Sequence, residues 1–446
     1  MGKRELSRRD FIATGAVAAT AISGFPFIRT AGAHETPIKV GVVGTGGRGT
    51  GACRDALLAD PAVEIVAMAD VGMDRIEQSL AGLKQGRSLQ GEDFQKRIKV
   101  PPDAMFIGPD SFKQLLAVDL DYVILSTPPA FRPLHYEEAV KRGLHVFAEK
   151  PMATDPVGCR AIRASAKKAK QKGLTVVVGL NARHNLDVME TVKRIHDGAL
   201  GEITSGTIHR LGRGLWHRGN DPSWSAMEYQ MRNWYYFCWL SGDQIVEMVV
   251  HQIDLMNWAM GATPVSALAH GGRQQRTDPK YGNIYDHMTV DYTYPGGVHV
   301  QLMCRQWNDC AGKNENRVIG KLGESDSRRV ILGANPFELP DRRRRGRRGS
   351  GQRTQPTRDD LLHNPMVYEH MELIESMRKE EARNDLLEFA IDSTLTAVMG
   401  REAAYTGQVI TWDEISNSDL NLFPDDYQFG PAPQRTVAIP GFPRPV

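Results

Sequence analysis

The sequence predicts an α/β protein: a doubly wound parallel sheet in its first half, then an α+β domain with a largely antiparallel open sheet. Three observations predict it. Short β-branched runs alternate with helix-patterned segments from residue 38 to residue 179, the pattern of a parallel sheet with crossover helices. A glycine-rich loop directly follows the first of these runs. Beyond residue 181 the pattern changes to successive β-runs joined by tight turns, as in antiparallel pairing.

At 446 residues the chain is long enough for two domains, on a scale of about 100–200 residues each. Hydrophobic residues make up 41% and charged residues 24%, a balance that excludes a disordered, collagen-like or disulfide-framework chain. The only long apolar run is N-terminal and falls short of the ~20 residues of a membrane span, so no stable span is expected. With 55 basic and 53 acidic residues the net charge is +2, and nothing in it points to nucleic acid. Cys53, Cys159, Cys238, Cys304 and Cys310 are scattered and form no C-x-x-C, so no metal site is expected. Cys304 and Cys310 read as two buried thiols; a pair between them is the alternative in an oxidising compartment.

The N-terminus reads as a targeting segment. Ser7-Arg8-Arg9-Asp10-Phe11-Ile12 resembles the bacterial twin-arginine export signal, and a mildly apolar stretch at 11–28 leads to Ala31-Gly32-Ala33, a small-x-small cleavage site. Residues 1–33 are therefore expected to be a signal peptide that engages the twin-arginine translocase, with a periplasmic or otherwise exported product. That route implies a protein folded before export, often around a cofactor.

The elements follow in order. The run 38–43, IKVGVV, is bounded by Pro37 and Gly44 and reads as a buried strand. Gly44-Thr45-Gly46-Gly47-Arg48-Gly49 comes next, a G-x-G-x-x-G. Residues 50–59 are helix-patterned, and 64–69 (EIVAMA) form a second strand ending at Asp70. Strand, glycine loop, helix and an acid about 20 residues on are the dinucleotide-binding context. Gly44 permits the tight turn, Gly46 lets backbone approach a pyrophosphate, and Gly49 lets the helix pack on the strand; Gly47 and Arg48 complete the loop. The helix N-terminus offers N–H groups and partial positive charge to phosphates. Asp70 suits the hydroxyls of the adenine ribose and repels a 2′-phosphate, so NAD is favoured over NADP. Residues 108–116 read as a loop and short helix, and 121–126 (DYVILS) as a strand closed by Thr127-Pro128-Pro129. A helix at 133–142 ends at Gly143, and 145–148 (HVFA) is a strand followed by Glu149-Lys150-Pro151. A helix at 156–172 and a strand at 174–179 complete a Rossmann domain expected over 37–180.

The glycine loop, the Thr127-Pro128-Pro129 turn, HVFAEKP at 145–151 and the later His251 segment resemble the Gfo/Idh/MocA oxidoreductases, relatives of glucose–fructose oxidoreductase and inositol dehydrogenase. The resemblance spans nearly all of 37–415, and Glu149-Lys150-Pro151 is its most specific element. It implies a proline that is often cis, a lysine entering the active site beside the nicotinamide, and cofactor contacts from Thr127, Pro128, Glu149 and Lys150. Elementary chemistry agrees: hydride can leave a secondary alcohol only if the hydroxyl proton also leaves, and a lysine there can assist. A surface lysine in a turn is the plain alternative.

Residues 241–259 read as one helix, in which Glu247, His251 and Asp254 at i, i+4 and i+7 share a face. A carboxylate four residues from a histidine can orient its ring. The family pattern is D-x-x-x-H-x-x-D, so His251 matches the acid/base and Asp254 the position beside it. Glu247 stands where most dehydrogenases have Asp, and one methylene moves a carboxylate by roughly 1 Å, enough to disturb hydride geometry. Lys150, His251 and Glu247 are the catalytic candidates.

The second domain is expected over 181–415, with β-runs at 202–210, 265–270, 289–294 and 298–304 and a Pro295-Gly296-Gly297 hairpin turn. Arg232-Asn233-Trp234-Tyr235-Tyr236-Phe237 reads as core or as a sugar-stacking platform. Arg183, Trp234, Tyr236 and Asp254 are substrate-side candidates, with Tyr285 and His287 added by resemblance. The arginine-rich insertion at 342–353 reads as a solvated face; an acidic glycan is the sharper alternative. Helices are expected at 366–379 and 384–406, and a Pro-rich tail at 416–446 along the surface.

Three functions compete. The first is an NAD-dependent oxidoreductase acting on a hydroxyl of a sugar or cyclic polyol. The second is an NAD-dependent glycosidase working through transient oxidation, elimination, hydration and reduction. The third is a glycan-binding protein that retains the fold. The resemblance also implies a homodimer or homotetramer paired through the open face of the second sheet.

Overall fold

The computed structural model describes residues 36–85, 92–339 and 356–442. The expected signal peptide at 1–33 and the arginine-rich insertion at 342–353 lie outside the described residues.

Six strands form the first sheet: β1 (Ile38–Val43), β2 (Val63–Asp70), β3 (Met105–Ile107), β4 (Tyr122–Leu125), β5 (His145–Ala148) and β6 (Val176–Val178). All pair in parallel, in the order β3-β2-β1-β4-β5-β6. That order leaves a crevice at the strand C-termini between β1 and β4, where the winding reverses. Helices cover both faces, so the strands are apolar runs rather than alternating ones; β4 is buried at all four positions. The first helix spans Gly47–Ala59, three residues longer at its start than the 50–59 pattern.

The helix layers are not contiguous in sequence. Helix Pro365–Lys379 folds back onto helix Gly47–Ala59, and its buried Leu373 and Ile374 share a core with Ala52, Ala56, Phe147 and Val177. Leu373 and Ile374 each contribute about 1.5–3 kcal/mol by leaving water. The expected 181–415 domain therefore lends a helix to the first one. Residue patterning cannot reveal this, because the apolar stripe of a helix does not name its partner.

The second sheet has nine strands: β7 (Ile203–Gly212), β8 (Ser266–Gly272), β9 (His287–Tyr294), β10 (Val298–Gln306), β11 (Lys313–Gly320), β12 (Gly323–Ser325), β13 (Val330–Gly333), β14 (Phe337–Glu338) and β15 (Ile410–Thr411). Their order is β14-β13-β12-β11-β7-β10-β9-β8-β15, and every pair is antiparallel except β7 with β10. The β9–β10 turn needs its glycines, since Gly296 and Gly297 hold φ of 81° and 76°. Helix Ile391–Thr406 lies against the inner face of this sheet and is buried along nearly all its length. From it, the fully buried Arg401 donates to Thr154 O (2.6 Å) and Gly242 O (3.1 Å). One side chain thus ties the segment after Lys150 to the segment before Glu247.

Three expectations are corrected. The tail is more than a surface strand: Leu422 and Ala438 are buried, and Leu422 N donates to Asp155 Oδ2 at 2.8 Å. The 241–259 segment is not one helix either. It breaks at Gly242 and Asp243 (φ 76° and 74°) and again at 248–249, giving helices Gln244–Glu247 and Val250–Met260. Cys310, expected as a buried thiol like Cys304, is exposed, because it lies in the turn between β10 and β11; Cys304 is buried.

Candidate active site

The glycine loop makes one wall of a groove of about 420 Å³, and Trp216, Arg218 and Trp234 of the second domain make the other. Gly44 has φ 91°, and a Cβ there would lie 2.7 Å from Ser126 C and Thr127 N. A Cβ on Gly49 would lie 1.9 Å from Gly44 O, so that glycine permits the contact between helix and loop. At Gly46 and Gly47, by contrast, a Cβ would face open space or only the tip of Arg75. Those two positions form a cradle. Gly46 caps the helix with no side-chain acceptor, and no acid occupies the first turn, so the terminal N–H groups are left for an anion. Thr127 and Pro128 line the groove beside them.

Asp70 lines the far end. Its Oδ2 accepts from Thr45 N (2.6 Å) and Thr45 Oγ1 (3.0 Å), and its Oδ1 from Val71 N (2.7 Å). Burial raises its carboxyl above the ordinary range, against these donors. Arg48 points away from the cradle. It pairs with Glu149 Oε1 at 2.6 Å and Asp55 Oδ2 at 3.1 Å, so Arg48 and Glu149 hold the loop to the β5 turn.

At the end opposite Asp70 the groove meets a cleft of about 170 Å³ lined by Lys150, Glu247, His251 and Trp234. The Lys150–Pro151 peptide is cis. Lys150 Nζ donates to Glu247 Oε1 at 2.9 Å and to Glu247 O at 2.6 Å. The helix break at 248–249 makes this geometry: Glu247 ends one short helix and turns to Lys150, while His251 opens the next. The i, i+4 expectation had Glu247 orienting the histidine; it holds the lysine instead. Burial, opposed by Lys150, raises the Glu247 carboxyl. Burial, with Lys150 nearby, holds His251 well below the ordinary imidazole range, so its ring is neutral.

Arg132 and Glu369, which sequence reasoning missed, also line the cleft. Arg132 is 1% exposed and donates to Leu125 O (2.6 Å), Thr127 O (2.9 Å) and Pro151 O (3.1 Å). It sets the 127–129 turn against the 150–151 turn. Arg132 opens a helix, three residues after Pro129, and no spacing rule singles it out.

Several expected substrate residues lie elsewhere. Arg183 and Asp254 pair with each other through two 2.9 Å bonds. Ser393 Oγ also donates to Asp254 Oδ1 at 2.8 Å, and the guanidinium lies 4.5 Å from the Trp258 ring and 4.3 Å from that of Phe389. The Tyr236 hydroxyl lies 2.9 Å from Leu215 O and from Trp216 O, and Tyr285 donates to Ala438 O at 2.9 Å. His287 pairs with Asp286 at 2.8 Å. None of these five lines the cleft; Trp234 does. Arg183→Ala is expected to destabilise the fold by about 3–5 kcal/mol, because it strands a buried carboxylate, with substrate selectivity unchanged. Urea unfolding and a substrate panel test this, and altered selectivity at intact stability would return Arg183 to the substrate site.

A glycine cradle on a six-stranded parallel sheet, open at its end to a lysine–glutamate–histidine cleft supplied jointly by a second domain, is the architecture of a dinucleotide-dependent oxidoreductase. Residues 38–180 match the oxidoreductase family with an NAD-binding Rossmann fold, and residues 188–325 match the GFO/IDH/MocA C-terminal domain. The chain belongs to the Gfo/Idh/MocA oxidoreductase family. It is 29% identical over 153 residues to an inositol 2-dehydrogenase of Rhizobium meliloti, covering 34% of this chain and 40% of that protein. It is 27% identical over 222 residues to a glycosyl hydrolase family 109 protein of Streptomyces coelicolor, covering 46% and 43%. The chain spans about half the length of the curated relatives it matches. Scyllo-inositol dehydrogenase from Lactobacillus casei, solved with bound NAD(H) and scyllo-inositol, has the same fold: TM-score 0.60 at 16% identity, covering 84% of this chain and 99% of that one.

Proposed function

We propose that the protein moves hydride between a nicotinamide dinucleotide and a hydroxyl- or keto-bearing carbon of a sugar or cyclic polyol. The observation that carries this is the meeting of Lys150, Glu247 and His251 around one cleft at the end of the glycine-lined groove. The groove fits a dinucleotide: the open cradle at Gly46 and Gly47 suits a pyrophosphate and Asp70 a ribose. When bound, the nicotinamide supplies or accepts the hydride. Lys150, held at Nζ by Glu247, passes a proton to the Glu247 carboxylate and takes the hydroxyl proton in its place during oxidation, and the relay runs back during reduction. His251, a neutral ring, donates a hydrogen bond through its ring N–H to the same oxygen and steadies the charge left on it. Trp234 closes the cleft and limits water.

Asp70 supports NAD over NADP, by repulsion of a 2′-phosphate. Arg75 and Arg218 line the same end of the groove, so the cofactor assay includes both. Export by the twin-arginine route to the periplasm belongs to the same proposal, supported by the residues at 7–12. So does a homodimer or homotetramer through the open face of the nine-stranded sheet, where Leu268 and Met303 are 51% and 40% exposed.

A second reading is glycoside hydrolysis by transient oxidation, supported by the likeness to a glycosyl hydrolase family 109 protein. One experiment separates the two. Protein purified without added cofactor is denatured and its NAD(H) and NADP(H) are measured; native protein is incubated with myo-inositol, methyl glucosides and aryl glycosides. Polyol-dependent reduction of cofactor without bond cleavage is the expected result. Aglycone release with no net NADH favours the hydrolase, and no affinity for either cofactor removes both.

A further inference from the structure

Helix Pro365–Lys379 carries a group that the hydride-transfer step does not use. Glu369 is 1% exposed and lines the cleft that holds Lys150, Glu247 and His251. Among the described residues its Oε2 has no hydrogen-bond partner, and neither has Glu247 Oε2. The position is rigidly set. Leu373 and Ile374 bury the helix against the first domain, and Arg48 Nη1 donates to Met366 Sδ at 3.1 Å one turn before Glu369. Buried polar atoms are ordinarily paired, and an unpaired one is destabilising until a ligand or water meets it. Two such carboxyl oxygens on residues that line one cavity therefore point to a ligand with several hydroxyl groups.

We propose that Glu369 is a substrate-binding residue, engaging a second hydroxyl of a neutral polyol whose reacting carbon faces Lys150 and His251. This rests on the hydride-transfer reading above. Burial holds the Glu369 carboxyl well above the ordinary range, against the nearby charge of His184 and with that of Glu149. The acid form has an O–H to donate to a sugar oxygen as well as an oxygen to accept from one. The ligand class follows. A ring with hydroxyls on either side of the reacting carbon satisfies both Glu247 and Glu369. The wall already pairs Lys150 with Glu247 and Arg48 with Glu149, so a neutral ligand leaves those pairs intact.

The test uses the full chain loaded with NAD, and myo-inositol and methyl α-D-glucoside as probes. Glu369→Leu is expected to raise KM for the polyol about tenfold or more, one lost hydrogen bond to a buried partner, with the Kd for NAD unchanged. Glu369→Gln keeps a donor and an acceptor and is expected to restore KM to within about threefold of wild type. The thermal midpoint is read in parallel: myo-inositol is expected to raise it in wild type and E369Q but not in E369L, while NAD raises it in all three. Turnover with KM unmoved in E369L overturns the proposal and leaves the oxidoreductase reading standing. A rise in the Kd for NAD in place of KM, or a KM defect that Gln does not relieve, overturns it too. A polyol-induced shift lost in E369L without any hydride transfer in wild type sinks the oxidoreductase reading but keeps the binding role. Neither turnover nor shift in wild type sinks both.

Discussion

Lys150→Met is expected to lower kcat for polyol oxidation by about 10²–10⁴, the usual range for loss of a positioned proton-transfer group. The substitution keeps most of the side-chain volume and removes the ammonium that donates to Glu247 Oε1 and Glu247 O. Three effects converge on one number. The group that takes the hydroxyl proton is gone. Glu247 loses the charge that opposes its burial, so its carboxyl rises further and is protonated. The Glu247 carbonyl loses its donor, and the turn at 248–249 that aims His251 loosens. Cofactor affinity is expected to stay within about threefold, since the cradle lies at the other end of the groove. Steady-state kinetics and fluorescence titration with NAD separate the two quantities. A variant with near-normal kcat would falsify the role of Lys150 and move the proton transfer to His251.

Gly49→Ala is the second large effect, and it acts on the cofactor. A Cβ at residue 49 falls 1.9 Å from Gly44 O and 3.4 Å from Ser126 Cβ. The obstacle is backbone, so helix Gly47–Ala59 must back away from the loop. Overpacking of this kind destabilises by about 1–3 kcal/mol, and displacement of the helix N-terminus is expected to weaken NAD binding at least tenfold, about 1.4 kcal/mol. The control lies two residues on in the same helix. At Gly51 a Cβ meets only the flexible tip of Arg48, at 3.6 Å. Gly51→Ala is expected to stabilise by about 0.4–1 kcal/mol through the unfolded chain, with NAD affinity intact. Thermal unfolding and a titration of each variant decide it; equal behaviour of the two would mean that the close packing at residue 49 does not matter to the groove.

Sheet class and the dinucleotide groove were legible because they depend on neighbours in sequence. A β-branched run, a glycine loop and a helix start within a few residues leave one local solution. Asp70 and Lys150 were legible for the same reason, as residues at the ends of such elements, and Glu247 by its spacing to His251. The relation between Glu247 and His251 was not. Even helical spacing suggested one face of one helix, and only the left-handed backbone at Gly242 and Asp243 and the break at 248–249 redirect Glu247 to Lys150. Asp254 looked like a site residue because it stands three residues beyond His251 in the family pattern, and Arg183 was a substrate-side candidate, yet each is the other's partner.

The sequence by itself determined the α/β architecture, the cradle and the identity of the lysine at the other end of the groove. These follow from short-range sterics and periodicity. Tertiary structure alone decided which polar groups share the cleft. Arg132 holds three backbone carbonyls from two turns, Arg401 ties the Lys150 and Glu247 segments together, and Glu369 arrives on a helix more than two hundred residues away from Lys150 in sequence. Such contacts arise where packing brings buried polar atoms together and leaves each to find a partner, and packing of helices from distant parts of the chain is a property of the folded whole.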